Sequence, residues 1–131
     1  MSAKKQNEYL LLFRGSQWDK GLSNDKLQEV MDQFKGWFER LQQEGIVKAG
    51  QPLEREGRIV SKATVSDGPF AESKEAIGGY FILHANTLDE AVAIARRSPV
   101  IEYGSTVEVR PIAEECPTFR RVKQQLAAMA A

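Results

Sequence analysis

The sequence predicts an α+β domain in which helices cover one face of an antiparallel sheet. Three observations carry that prediction. Apolar residues at Tyr9–Phe13, Tyr80–Ala85 and Thr106–Arg110 fall as strands place them. Those from about Asp25 to Glu44 recur at helical steps. The two kinds of element alternate along a chain of 131 residues, room for one ordinary domain and not two.

Tyr9-Leu-Leu-Leu-Phe13 is a continuous apolar run closed by Gly15. In a strand, Tyr9, Leu11 and Phe13 point to one face, and Leu10 and Leu12 to the other. A strand with helices on one side and water on the other alternates apolar with polar. Here both faces are apolar, so something apolar covers the second face too. A chain this short has little left over to supply that cover.

The segment from about Asp25 to Glu44 is the strongest element. Leu27, Val30, Met31, Phe34, Trp37, Phe38 and Leu41 form one wide stripe at steps of three and four. Ser23, Asn24 or Asp25 caps its start, Asp25 and Gln28 have capping-box spacing, and Gly45 stands where a helix stops. Gly36 inside the helix costs about 1 kcal/mol relative to Ala, and close packing against the sheet would explain it.

Val47–Leu53 reads as a short extended piece or loop. Arg58–Ser61 and Ala63–Ser66 carry β-branched residues and read as a hairpin or short strands, closed by the turn signal Asp67-Gly68-Pro69. Gly78-Gly79 leads into the strand Tyr80–Ala85. Asn86 or Thr87 caps a second helix, Leu88–Arg97, which Pro99 ends. Thr106–Arg110 is the last strand, with Val107 and Val109 on one face. Phe119, Val122, Leu126 and Met129 line one side of a terminal helix over Phe119–Met129. The order strand, helix, extended pieces, strand, helix, strand is the split βαβ, ferredoxin-like arrangement with an extra C-terminal helix. Both main helices then lie on one sheet face. Covering the bare apolar face calls for a homodimer, because an isologous contact buries it. The division expected is a disordered tail over residues 1–7, a domain over 8–112 and a helical extension over 113–131.

Composition narrows the function. Eighteen basic residues balance eighteen acidic ones, which argues against a dedicated nucleic-acid or anionic-membrane surface. No segment approaches the length of a membrane span, and Tyr9–Phe13 is too short for a signal-peptide core. Cys116 is the one cysteine, so no intramolecular disulfide forms, in keeping with a reducing, cytoplasmic setting. With no base or cation evident beside it, Cys116 reads as a small packed or edge residue. One histidine and one cysteine far apart give no metal-ligand spacing. Gly78-Gly79 lacks the rest of a phosphate-binding loop, so no cofactor is implied.

Asp67-Gly-Pro-Phe-Ala-Glu-Ser-Lys-Glu75, followed by Gly78-Gly-Tyr80, resembles the signature of the DGPF branch of the YCII-related proteins. The likeness extends from Tyr9 to Pro111. It takes in the opening strand, Glu44-Gly45, Lys48-Ala-Gly-Gln-Pro-Leu53, Leu88-Asp-Glu-Ala91, Pro99 and Val107-Glu-Val-Arg-Pro111. The resemblance implies a dimeric α+β barrel, two ferredoxin-like sheets packed face to face. It implies no settled activity. Some members lie in genomes beside alternative sigma factors, which implies regulation as one possible role. Relatives with a proposed active site carry an early His–Asp dyad, whereas the one histidine here is His84, so that chemistry does not carry over.

Two sets of residues are candidates for a site. In the signature loop, Asp67 or Glu72 is a possible proton acceptor and Lys74 a holder of an anionic group. Alternatively Asp67 bonds the turn's backbone amides, Phe70 plugs the core and Lys74 pairs with a carboxylate. On the sheet, Tyr80, Ile82 and His84 share a face. Glu108 and Arg110 lie opposite Val107 and Val109. If the valines face the helices, Glu108 and Arg110 face the barrel interior with His84, and Arg14 lies near the end of the neighbouring strand. Such a group could bind a small acid and move a proton. Equally, Glu108 and Arg110 could pair across a dimer and His84 be solvated. The functional alternatives are a cofactor-independent enzyme or binder of a small metabolite, and a non-catalytic dimeric interaction module.

Overall fold

β1 (Asn7–Arg14) is the strand around which the chain is organised. It pairs antiparallel with β5 (Ile77–Ala85) on one edge and with β6 (Thr106–Pro111) on the other. β2 (Val47–Pro52) pairs antiparallel with the outer edge of β5, which gives the order β2-β5-β1-β6. Counting only these four strands in chain order, the sequence across the sheet is second, third, first, fourth, the ferredoxin-like order. The chain is seen here in a computed structural model, which describes residues 7–15, 17–68 and 76–130. β3 (Arg58–Val60) and β4 (Val65–Asp67) form a separate two-stranded hairpin between β2 and β5.

Two helices cover one face. α1 (Asn24–Gln43) starts where Ser23 Oγ accepts a hydrogen bond from the Lys26 amide at 3.1 Å, leaving Asn24 and Asp25 inside the first turn. Gln28 donates to Asp32 at 2.9 Å instead of completing a capping box. α2 (Leu88–Ala95) is capped by Thr87, whose Oγ1 accepts from the Glu90 amide at 3.1 Å. Glu90 in turn accepts from the Asn86 amide at 3.3 Å. Both caps satisfy amides that the first helical turn leaves without partners.

The core lies between these helices and the sheet. Leu11, Phe81 and Leu83 of the strands pack with Trp37 and Leu41 of α1 and with Ile94 and Ala95 of α2. Leu11, Leu83 and Val30 are fully buried, each worth about 1.5–3 kcal/mol against exposure. Val107 and Val109 pack onto the same core, so the valines of β6 face the helices. Residues directly opposite across a ladder share a face. Leu10 stands opposite Ile82 and Arg110, and Leu12 opposite Tyr80 and Glu108. Among the described residues, no helix of the core packs on that second face.

Gly36 departs from expectation. A Cβ there would meet only Arg40 Nη1, at 3.6 Å, so packing against the sheet is not what places this glycine. Gly50, by contrast, is held by close packing. A Cβ on it would lie 2.7 Å from Phe81 Cδ1 and 3.1 Å from the Tyr80 carbonyl oxygen. The terminal helix, α3 (Pro117–Ala130), has no buried residue. Its apolar stripe faces outward, with Phe119 67% and Met129 82% exposed.

Candidate functional site

The apolar stripe of α1 does two jobs. Val30, Trp37 and Leu41 are buried in the core, while Met31, Phe34 and Phe38 line a cavity beside it. The cavity holds about 520 Å³, within the usual range for small-molecule sites. Its other walls are Phe13 and Phe81 from the sheet, Trp18 from the β1–α1 connection, and the Gly50–Leu53 stretch of and after β2. The rings hold one another in place. Phe13 lies 4.8 Å from Phe81 and 5.7 Å from Phe34, centroid to centroid, both edge-on, and Phe38 lies 4.9 Å from Phe81. Edge-on contacts of this kind add about 0.5–1.5 kcal/mol beyond area burial, so the walls are stiff.

Polar groups stand where the cavity meets its rim. Lys35 and Arg55 line it as cations. Asp19 Oδ2 is 3.8 Å from Arg55 Nη2, while Asp19 Oδ1 is buried with no hydrogen-bond partner among the described residues. A buried acceptor without a donor is costly. The arrangement therefore offers an apolar, ring-lined slot, one unanswered acceptor and two cations.

The uncovered sheet face is organised differently. Its centre is apolar, with Leu10, Leu12 and Ile82 half-buried. At one end Arg14 Nε donates to Glu108 Oε1 at 2.9 Å, and Arg110 Nη1 stands 3.5 Å from Glu108 Oε2. Glu108 is thus held between two guanidinium groups of its own chain. At the other end His84 stands opposite Glu8, whose carboxylate pairs with Lys48 at 2.9 Å.

The residues singled out from sequence therefore separate. Tyr80 borders the aromatic cavity, yet it stands opposite Leu12 and so shares the uncovered face. His84, Glu108, Arg110 and Arg14 belong to the uncovered face. Asp67 is on the β3–β4 hairpin, opposite Arg58 and paired with it at 3.2 Å, with its side chain 78% exposed. Glu72, Lys74 and Phe70 lie outside the described residues, as does most of the signature loop. Among the described residues no group of three or more His, Cys, Asp or Glu side chains could hold a metal ion, and no helix is long and apolar enough to cross a membrane.

The family of YCII-related domains matches residues 7–117, from the first residue of β1 to the first residue of α3. The chain belongs to that family. It is also similar to an uncharacterized protein of Rhizobium meliloti (strain 1021), 44% identical over 50 residues. That stretch is 37% of this chain and 40% of the relative. The chain thus aligns with less than half of the length of the curated relative it matches.

In this YCII-related chain the aromatic cavity is the site that sequence reading missed. The α1 stripe had the right residues, but its width was the only hint that it served more than the core. Cys116 was also misjudged. It is exposed and caps α3, where the backbone amides of Phe119 and then Thr118 hold its thiol below the usual value. The helix N-terminus supplies most of the positive environment, and Arg120 one turn on adds to it.

Proposed function

We propose that this YCII-related chain binds a small aromatic acid, or a comparably flat one, in the cavity between α1 and the sheet. The observation that carries the reading is the ring-lined cavity of about 520 Å³ with Asp19 Oδ1 left without a donor at its edge. Phe13, Phe34, Phe38 and Phe81 take the ring of the ligand. Lys35 and Arg55 answer its acidic group, and Asp19 accepts a hydrogen bond from a hydroxyl or amine on it. The signature residues Asp67-Gly68 and Gly78-Gly-Tyr80 support the DGPF branch as the finer assignment.

The same reading includes a homodimer closed through the uncovered sheet face. Leu10, Leu12 and Ile82 supply a self-complementary apolar centre, and the charged groups at both ends supply the rim. His84 and Arg110 then sit between two sheets, which is where proton transfer on a second ligand would take place.

The binding reading is tested by saturation-transfer NMR with 4-hydroxybenzoate and indole as probes, on the parent chain and on Met31→Trp. Met31 is 47% exposed at the cavity wall, so the larger side chain fills the slot without entering the core. Transfer to both probes in the parent and its loss in the variant are expected. No transfer to either probe, or equal transfer in the variant, would overturn the reading.

One observation favours a second reading, a protein-interaction module. The stripe Phe119, Val122, Leu126 and Met129 on α3 is exposed and lies almost wholly beyond the matched family domain. Capture of a regulatory protein by the full chain, lost on removing residues 117–131, would favour this reading.

A further inference from the structure

α1 has a second wall. On the side turned away from the aromatic cavity, Gly36, Trp37 and Arg40 face the segment that follows α2, and a cleft of about 510 Å³ lies between them. The two cavities share no lining residue. Arg40 comes from α1, and Arg96 and Arg97 come from the end of α2. None of the three guanidinium groups forms an ion pair or a side-chain hydrogen bond among the described residues.

The helix ends account for part of this. Arg40 is in the last turn of α1 and Arg96 caps α2, where cations suit the negative end of the helix dipole. That leaves Arg97 unexplained, together with two buried groups on residues that line the cleft. Trp37 Nε1 and Ser98 Oγ are both buried and both without a hydrogen-bond partner, on residues 4% and 3% exposed. Both can donate, and buried donors are normally satisfied. Two carboxylates also line the cleft. Asp32 already accepts from Gln28, and Glu102 lies across from it, within 4 Å of no cation among the described residues. Three guanidinium groups against two carboxylates leave the cleft cationic.

We propose that this cleft is a binding site for the phosphoryl group of a small molecule. Planar guanidinium forks match phosphate oxygens in pairs. The oxygens of a seated phosphoryl group, directly or through one held water, give Ser98 and Trp37 the acceptors they lack. Gly36 fits this placement, because it keeps the α1 wall open beside Arg40 Nη1. The site is independent of the aromatic cavity and stands whether or not that cavity binds a ligand.

The test follows the indole N–H signal of Trp37 in ¹H–¹⁵N spectra of the full chain, with Trp18→Phe identifying which of the two indole signals it is. Inorganic phosphate and glycerol 3-phosphate are titrated in separate arms at constant ionic strength, with sodium chloride as the control. Saturable movement of the Trp37 signal with the phosphate probes and not with chloride is expected. Tighter binding of the ester assigns the phosphoryl group to an organic ligand, and equal binding assigns it to free phosphate. Arg40→Gln combined with Arg97→Gln should weaken binding roughly tenfold or more, since each removes charge-assisted hydrogen bonds. Arg97→Gln alone serves should the pair disturb the fold, which the sheet amide signals report. No movement at millimolar probe, the same movement with chloride, or unchanged affinity in the arginine variants would overturn the proposal.

Discussion

One substitution made at two places tests the packing account directly. Gly50→Ala adds a methyl group 2.7 Å from Phe81 Cδ1, 3.2 Å from Phe38 Cε2 and 3.1 Å from the Tyr80 carbonyl oxygen. The carbonyl belongs to a paired strand and cannot retreat. Phe81 is 6% exposed and wedged against Phe13, Trp37 and Phe38. Overpacking of this kind costs about 1–3 kcal/mol, and the lost glycine entropy returns roughly 0.5–1 kcal/mol. A net loss of about 1–2 kcal/mol is expected. Gly36→Ala adds the same methyl group with nothing nearer than Arg40 Nη1 at 3.6 Å. There the helix gains about 0.5–1 kcal/mol and nothing opposes it. Urea unfolding at one protein concentration, compared at equal slopes, reads both changes. The midpoint should fall for Gly50→Ala and rise for Gly36→Ala. Movement of both in the same direction, or an unmoved Gly50→Ala, would show that the rings around β2 are loosely held, and the stiff-walled cavity would lose its basis.

Two further outcomes are expected. Cys116 should react with iodoacetamide near neutral pH faster than the same cysteine in a peptide of residues 112–120, which is too short to hold the helix. The thiol value is lowered in the folded helix, so the thiolate favours the folded end of α3. That contribution is present above the unfolded thiol's value and is lost as pH falls through the folded one, which helical circular dichroism of the full chain follows. Equal alkylation rates would refute it. On the uncovered sheet face, Leu12→Glu places a carboxylate in the apolar centre beside Glu108. Sedimentation should give a dimer for the parent and a monomer for the variant, and a monomeric parent would refute the covered-face argument.

The fold was legible because its signals are local. The α1 stripe, the alternation around Val107 and Val109 and the paired apolar faces of Tyr9–Phe13 each need fewer than twenty neighbouring residues to be recognised. The strand order needed only the rule that a split βαβ unit brings its first strand to the middle. What escaped notice joins distant residues. The aromatic cavity assembles Phe13, Trp18, Phe38 and Phe81 from four parts of the chain, and the cationic cleft brings Arg40 to Arg97. No periodicity encodes such meetings. Gly36 misled for a related reason. Its helical setting was plain, but whether a glycine is required or merely tolerated depends on atoms from elsewhere. The Cys116 environment escaped because backbone amides carry no letter in the sequence.

The position of β1 bears on how the chain is made. It is made well before its partners, since β5 and β6 follow α1, β2 and the hairpin. At about 5–20 residues per second, several seconds pass between the synthesis of Arg14 and that of Ala85. Throughout that interval Tyr9–Phe13 has two open edges and two apolar faces, the combination most prone to pairing with a neighbouring nascent chain. Only when Thr106–Pro111 arrives is the second edge closed. The longer that interval, the longer this central strand depends on being kept apart from other chains.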